Sequence, residues 1–119
     1  TVTDCNLLLG YLDRSSLLAG DMQIDFVAAE RAVAEKLAKP LGVDAKTAAA
    51  AVIDIVNHAM AEALKIVSVE RGHDPRDFSL VAFGGAGPMH AAALATELQI
   101  KEIVCPPIPG AFSALGLVG

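Results

Sequence analysis

Leu80-Val81-Ala82-Phe83-Gly84-Gly85-Ala86-Gly87-Pro88-Met89-His90 decides the fold class of this chain. Four apolar residues, Leu80 to Phe83, read as a buried strand. Gly84, Gly85 and Gly87 then permit positive φ and let another group come close to the backbone. Pro88 suits the first helical position, where its missing N–H leaves no bond unmade. A strand, a glycine turn and a helix in this order leave unpaired N–H groups at the positive end of a helix dipole. On the local pattern alone the turn reads equally as a nest for an anion such as phosphate or as a tight connection that binds nothing.

Beyond the turn, the sequence predicts a helix over about 88–98, with Ala91, Leu94, Ala95 and Leu98 inward. Ile100 to Cys105 reads as a second strand, stopped by Pro106-Pro107. With the strand at 79–83 this makes a βαβ unit, whose strands are expected to be parallel and joined by a right-handed crossover. Pro106 to Gly110 reads as a rigid loop, and Ala111 to Leu117 as the start of another helix.

Upstream the pattern is helical. Thr3 or Asp4 is placed to cap a short helix carrying Leu7, Leu8, Leu9 and Leu12, with Gly10 weakening it and an exit loop over Asp13 to Ser16. Leu17 to Gly20 and Met22 to Ile24 read as a turn and a brief extended piece. Asp25 is expected to cap a helix over 26–39, with Phe26, Ala29, Val33 and Leu37 on one stripe, a Glu35–Lys39 pair outside, and Pro40 and Gly42 at its end. Asp44 is expected to cap the longest helix, about 45–71, ended by Gly72. Its polar stripe is Asp54, His58, Glu62 and Lys65; the rest is apolar, including Val52, Ile55, Val56, Ala59, Ala63, Ile66 and Val67. So wide an apolar arc predicts a helix sandwiched between other elements, some of them outside this chain. The chain is thus α/β: 1–78 mainly helical, 79–119 a βαβ unit around a glycine-rich turn.

The 119 residues have room for one real core, and a hydrophobic content of 54% against 19% charged residues argues against disorder. A net charge of −5 without any Lys/Arg cluster argues against a nucleic-acid surface. No charged-then-apolar leader and no run of 18 apolar residues predicts a membrane segment. Cys5 and Cys105, far apart, read as reduced, partly buried thiols of a cytoplasmic protein. The chain opens at Thr1-Val2-Thr3-Asp4 without methionine and stops inside the apolar Leu115-Gly116-Leu117-Val118-Gly119. Both ends read as cuts through a longer polypeptide.

Several chemistries are excluded at the turn. A dinucleotide fingerprint needs a third glycine where His90 stands, and an acid where Cys105 and Pro106 stand. A P-loop needs Gly-Lys-Ser/Thr, and no lysine lies between Lys65 and Lys101. No serine sits in the turn to form a nucleophile elbow, and Ser113 has no evident base. His58, His73 and His90 show no metal-ligand spacing. His58 reads as a solvated residue and His73 as a loop hydrogen-bonder. His90, in the first turn behind the glycines, is placed to meet a ligand or, more simply, the neighbouring loop. Asp4 and Asn6 read as a cap and its neighbour, or as a carboxylate and amide able to hold a polar substrate or a metal-bound water.

Four ordered motifs resemble the hydantoinase A/oxoprolinase family. They are Thr1-Val2-Thr3-Asp4-Cys5-Asn6-Leu7-Leu8-Leu9-Gly10, Arg71-Gly72-His73-Asp74-Pro75-Arg76-Asp77-Phe78, the glycine turn from Leu80 to Ala91, and Pro106-Pro107-Ile108-Pro109-Gly110-Ala111-Phe112-Ser113-Ala114-Leu115-Gly116. The resemblance implies part of an actin-like ATPase, with ribonuclease H-like lobes clasping a nucleotide. It implies ATP and Mg²⁺ as cofactors, and ring opening of a cyclic amide through phosphorylation of its carbonyl oxygen. Gly84, Gly85, Ala86, Gly87 and Pro88 would then wall the nucleoside side of the cleft, with Asp4, Asn6 and His90 as polar-site candidates.

The family's phosphate loops and metal-holding acid have no counterpart here. The resemblance therefore implies a missing N-terminal lobe, a hydantoinase B-type partner subunit or domain, and a chain inactive alone; a homo-oligomer is compatible with it. Hydantoin, oxoproline and ketone substrates are not separated by these residues. The rival reading is a non-catalytic interaction module derived from that family.

Overall fold

A computed structural model describes residues 1–13 and 25–118. The expected turn and extended piece between Leu17 and Ile24, and the end of the loop at Ser16, lie outside the described residues. Helix α1 is Val2–Leu9, α2 Phe26–Val33, α3 Lys39–Leu41, α4 Ala45–Ser68, α5 Gly87–Leu98 and α6 Phe112–Leu115; strands β1 and β2 are Leu80–Val81 and Ile103–Val104. Through Asp77 every described element is helical, and the strands follow. The chain forms two compact units, Thr1–Val56 and Asn57–Gly119, divided within α4.

In the first unit, α1 is closed at its start by Thr1, not by Thr3 or Asp4. Thr1 Oγ1 accepts the Asp4 N–H at 3.2 Å, and the Asp4 carboxylate accepts from the Thr1 hydroxyl at 2.7 Å. This reciprocal box needs the acid three residues inside the helix, which is why Asp4 lies past the cap. Gly10 ends α1 in the left-handed region at φ 78°. Asp25 caps α2 as expected, accepting the Ala28 N–H at 2.9 Å. Ala29 and Val33 are buried against Cys5, Leu7 and Leu8 of α1 and Ala48, Ala49 and Ile53 of α4, with Phe26 and Leu37 partly buried beside them.

Pro40 does not end this helix. The backbone widens into a π-helical segment, Ala34–Ala38, then runs through Pro40 to Gly42 at φ 68°. A proline ring clashes with the carbonyl four residues back and offers no N–H, and a widened turn just before it relieves both problems. Glu35 and Lys39 are exposed and form no ion pair among the described residues.

In the second unit, the apolar face of α4 meets α5 through Ala61, Leu94 and Leu98, with Met60, Leu64, Leu80 and Ile100 packed around them. After Ser68 the helix tightens into a 3₁₀ turn, Val69–Arg71, and stops at Gly72, φ 81°. β1 and β2 are parallel, with Leu80 opposite Ile103 and Val81 opposite Val104. The Leu80 N–H donates to the Glu102 carbonyl and the Ala82 N–H to the Val104 carbonyl, both at 2.9 Å. The strands are shorter than the sequence predicts, since each has one neighbour among the described residues and the ladder ends where that pairing ends. The last helix is also shorter, a 3₁₀ turn at Pro109–Ala111 followed by α6.

The expected burial of the α4 arc is not met among the described residues. Ile55 is 70% exposed, and Ile66 and Val67 are each 54% exposed. No described helix is long and apolar enough to cross a membrane. Both cysteines are free, Cys5 buried and Cys105 exposed rather than partly buried.

Candidate site at the glycine turn

Between β1 and α5 the backbone turns through Gly84, whose φ of +84° a side chain would strain. The Gly84 N–H donates to the Pro109 carbonyl at 2.8 Å, so the Pro-rich loop is latched to the turn. The Phe83 and Phe112 rings lie 5.4 Å apart and strengthen that latch. Ile108, between prolines 107 and 109, is held in the left-handed region at φ 55°.

The rest of the turn is open. α5 begins at Gly87, with Pro88 second, and its cap residue, Ala86, has no side-chain acceptor. Among the described residues the N–H groups of Gly85, Ala86 and Gly87 donate to nothing, while Met89 bonds back to the Ala86 carbonyl at 3.0 Å. A Cβ built on Gly85 would meet no atom within 4 Å. Three free donors at a helix start, without a side chain over them, form a place where a polar or anionic oxygen can be held. Beside Gly87 lies a hollow of about 420 Å³, walled by α4 residues such as Leu64 and Val67 and by Val81, Phe83 and Ala91. Its walls are almost entirely carbon, so it offers packing surface without polar recognition.

His90 is buried, at 3% exposure, and its partner is not the loop. Its Nδ1 lies 2.7 Å from Oδ1 of Asn57, itself 8% exposed, on α4. The oxygen is an acceptor, so Nδ1 carries the proton and donates. This bond fixes the first turn of α5 against α4. Asn57 gave no sequence signal: it stands in an alanine-rich helix, 33 residues from His90. His58 is exposed as expected, yet its Nδ1 lies 2.7 Å from Glu97 Oε1. His73 packs edge-on to Phe78, with centroids 5.8 Å apart, and its backbone N–H makes a local hydrogen bond to the Ser68 carbonyl at 3.0 Å.

Asp4 and Asn6 belong to the other unit. The Asp4 carboxylate is engaged within the cap of α1, accepting from the Thr1 hydroxyl at 2.7 Å. Asn6, 2% exposed, leaves its Oδ1 buried without a hydrogen-bond partner among the described residues. Burial pushes the neighbouring Cys5 thiol up, which makes it a packing group. The glycine turn and His90 thus share one unit, and Asp4 and Asn6 share the other.

Comparison with known proteins adds the context. Caprolactamase subunit alpha of Pseudomonas jessenii is 42% identical over 118 residues, covering 99% of this chain and 17% of that protein. The crystal structure of the ATP-dependent caprolactamase from the same organism superposes with a TM-score of 0.88 at 43% identity, over 98% of this chain and 17% of that one. A nucleotide-free acetone carboxylase, solved for the mechanism of ATP-dependent acetone carboxylation, superposes with a TM-score of 0.91 at 31% identity, over 98% of this chain and 16% of that one. The chain spans 17% of the length of the first curated relatives it matches. The Hydantoinase/oxoprolinase profile matches residues 1–118, and the chain belongs to that family.

Proposed function

We propose that this chain is part of an ATP-dependent cyclic-amide hydrolase and forms one wall of its nucleotide site. The observation that carries this reading is the open turn at Gly85, Ala86 and Gly87, in a family with an ATP-dependent caprolactamase among its members. The three free N–H groups suit oxygen atoms of a nucleotide, and the adjoining apolar hollow suits the flat packing of a base or sugar. In the proposed actin-like architecture Gly84 to Pro88 line the nucleoside side.

ATP would supply the phosphoryl group that activates the amide oxygen for ring opening by water. The residues here bind and orient. Gly84 fixes the turn through Pro109, Gly85 leaves space for the ligand, and His90 anchors the helix that carries the turn. The turn from Gly84 to His90 contains no acid, so it does not fit Mg²⁺, and we assign the metal to residues elsewhere in the longer protein. The 119 residues alone are expected to be inactive, and a partner subunit is in keeping with the "subunit alpha" designation of the caprolactamase relative. Consumption of ATP suits a cytoplasmic enzyme.

Gly85→Asp in the intact polypeptide tests the reading. Gly85 has no positive φ and open space above it, so the variant is expected to fold with an unchanged Tm. It puts charge and bulk beside the donors, and KM for ATP is expected to rise at least about tenfold, some 1.4 kcal/mol. An unaltered KM for ATP with a lactam substrate would sink the proposal and favour the interaction-module reading.

A further inference from the structure

We propose that His58, Glu62 and Glu97 form a binding site for one borderline divalent cation of the Zn²⁺ class, stapling α4 to the end of α5. His58 and Glu62 stand four residues apart and so share one face of α4. Glu97, the penultimate residue of α5, reaches the same point from the second helix. One ligand atom from each lies within 4.8 Å of the other two, and His58 Nδ1 already sits 2.7 Å from Glu97 Oε1.

A tetrahedral ion with bonds of about 2.0–2.2 Å needs ligand atoms about 3.3 Å apart. Exposed side chains close a gap of that size by rotamer changes alone, without moving the helices. One imidazole and two carboxylates make a mixed nitrogen–oxygen set. The imidazole selects against Mg²⁺ and Ca²⁺, which prefer all-oxygen shells, and the one open position is left to water.

A cation here has a competitor on the page. Lys65 Nζ lies 2.7 Å from Glu62 Oε1 and occupies that carboxylate. The metal must displace this ammonium, so Lys65 sets the affinity from outside the ligand set. The position also has structural meaning. Asn57 and His58 are adjacent on α4; the first holds the start of α5 through buried His90, the second reaches its end through exposed Glu97. A cation at the exposed grip tightens the helix behind the glycine turn.

Calorimetric titration of the chelator-stripped intact polypeptide with Zn²⁺, in excess Mg²⁺, tests the site. His58→Ala and Glu97→Gln are expected to lose one equivalent of Zn²⁺, or to weaken it at least about tenfold, the loss usual for removing support from a metal site. Lys65→Ala should tighten the same equivalent several-fold, which an ordinary surface ion pair gives no reason to expect. His58 and Glu97 are exposed and Lys65 is half-buried, and circular dichroism should report unchanged folds. Titrations of His58→Ala and Glu97→Gln that match the wild type, or no Zn²⁺ uptake by the wild type, overturn the proposal.

Discussion

His90 and Asn57 meet in a buried setting where a missed hydrogen bond is costly. Asn57→Leu removes the acceptor and strands the His90 donor, and is expected to destabilise the intact polypeptide by about 1–3 kcal/mol. The double variant Asn57→Leu/His90→Phe removes both polar groups and should recover most of that loss. Urea midpoints of the two variants check this, and a single variant within about 0.5 kcal/mol of wild type would show the bond to be idle. His90 was legible in the sequence because its place in the first turn behind three glycines is local information. Its acceptor was not, because neither the neighbours of Asn57, Val56 and His58, nor the distance along the chain marks it. The His58–Glu97 contact escaped for the same reason: a search for spacing along one helix cannot see a ligand arriving from another.

Caps, as elements' boundaries, were read from the sequence with most success, because a cap is a bond between residues three apart. Asp25, Asp44 and Gly72 all stand where the pattern put them. Pro40 was misread because its effect depends on whether the preceding turn can widen, which no local rule states. The turn at Pro75–Asp77 shows what such a boundary does under acid. Asp74 accepts the Arg76 N–H at 2.9 Å and is gripped by the Arg76 guanidinium, Nε at 3.0 Å and Nη2 at 2.6 Å. The side-chain bonds from Arg76 lower its pKa from 3.8 to about 2. A carboxylate held low in the folded state contributes stability above its unfolded value, and loses it as pH falls from 3.8 through about 2. Asp74→Asn lacks this contribution, so its Tm should fall less between pH 4 and pH 2 than that of the wild type. Scanning calorimetry at both ends and at neutral pH checks it; parallel curves would mean that Asp74 is not coupled to the fold.

At the scale of the whole molecule, the pattern of α4 said more than the chain by itself can satisfy. The sequence puts apolar residues around most of its circumference, a pattern for a helix covered on several sides. The structure covers the side facing α5 and leaves Ile66 and Val67 more than half exposed, at 54% each. Among the described residues the two strands likewise pair only with each other. Periodicity therefore reported an environment larger than 119 residues, in keeping with a chain that spans 17% of its first relatives' length. Ile66→Lys separates the two environments. In the 119-residue chain the substitution exposes a good helix former four residues after Glu62, the favourable order for a pair, and its effect should stay within about 0.5 kcal/mol. In the intact polypeptide, where the arc is expected to be covered, it removes a buried side chain worth about 1.5–3 kcal/mol and inserts a charge in its place. Unfolding of both proteins with and without the substitution measures the difference, and equal small effects in the two would mean that this face of α4 stays in water even in the longer protein.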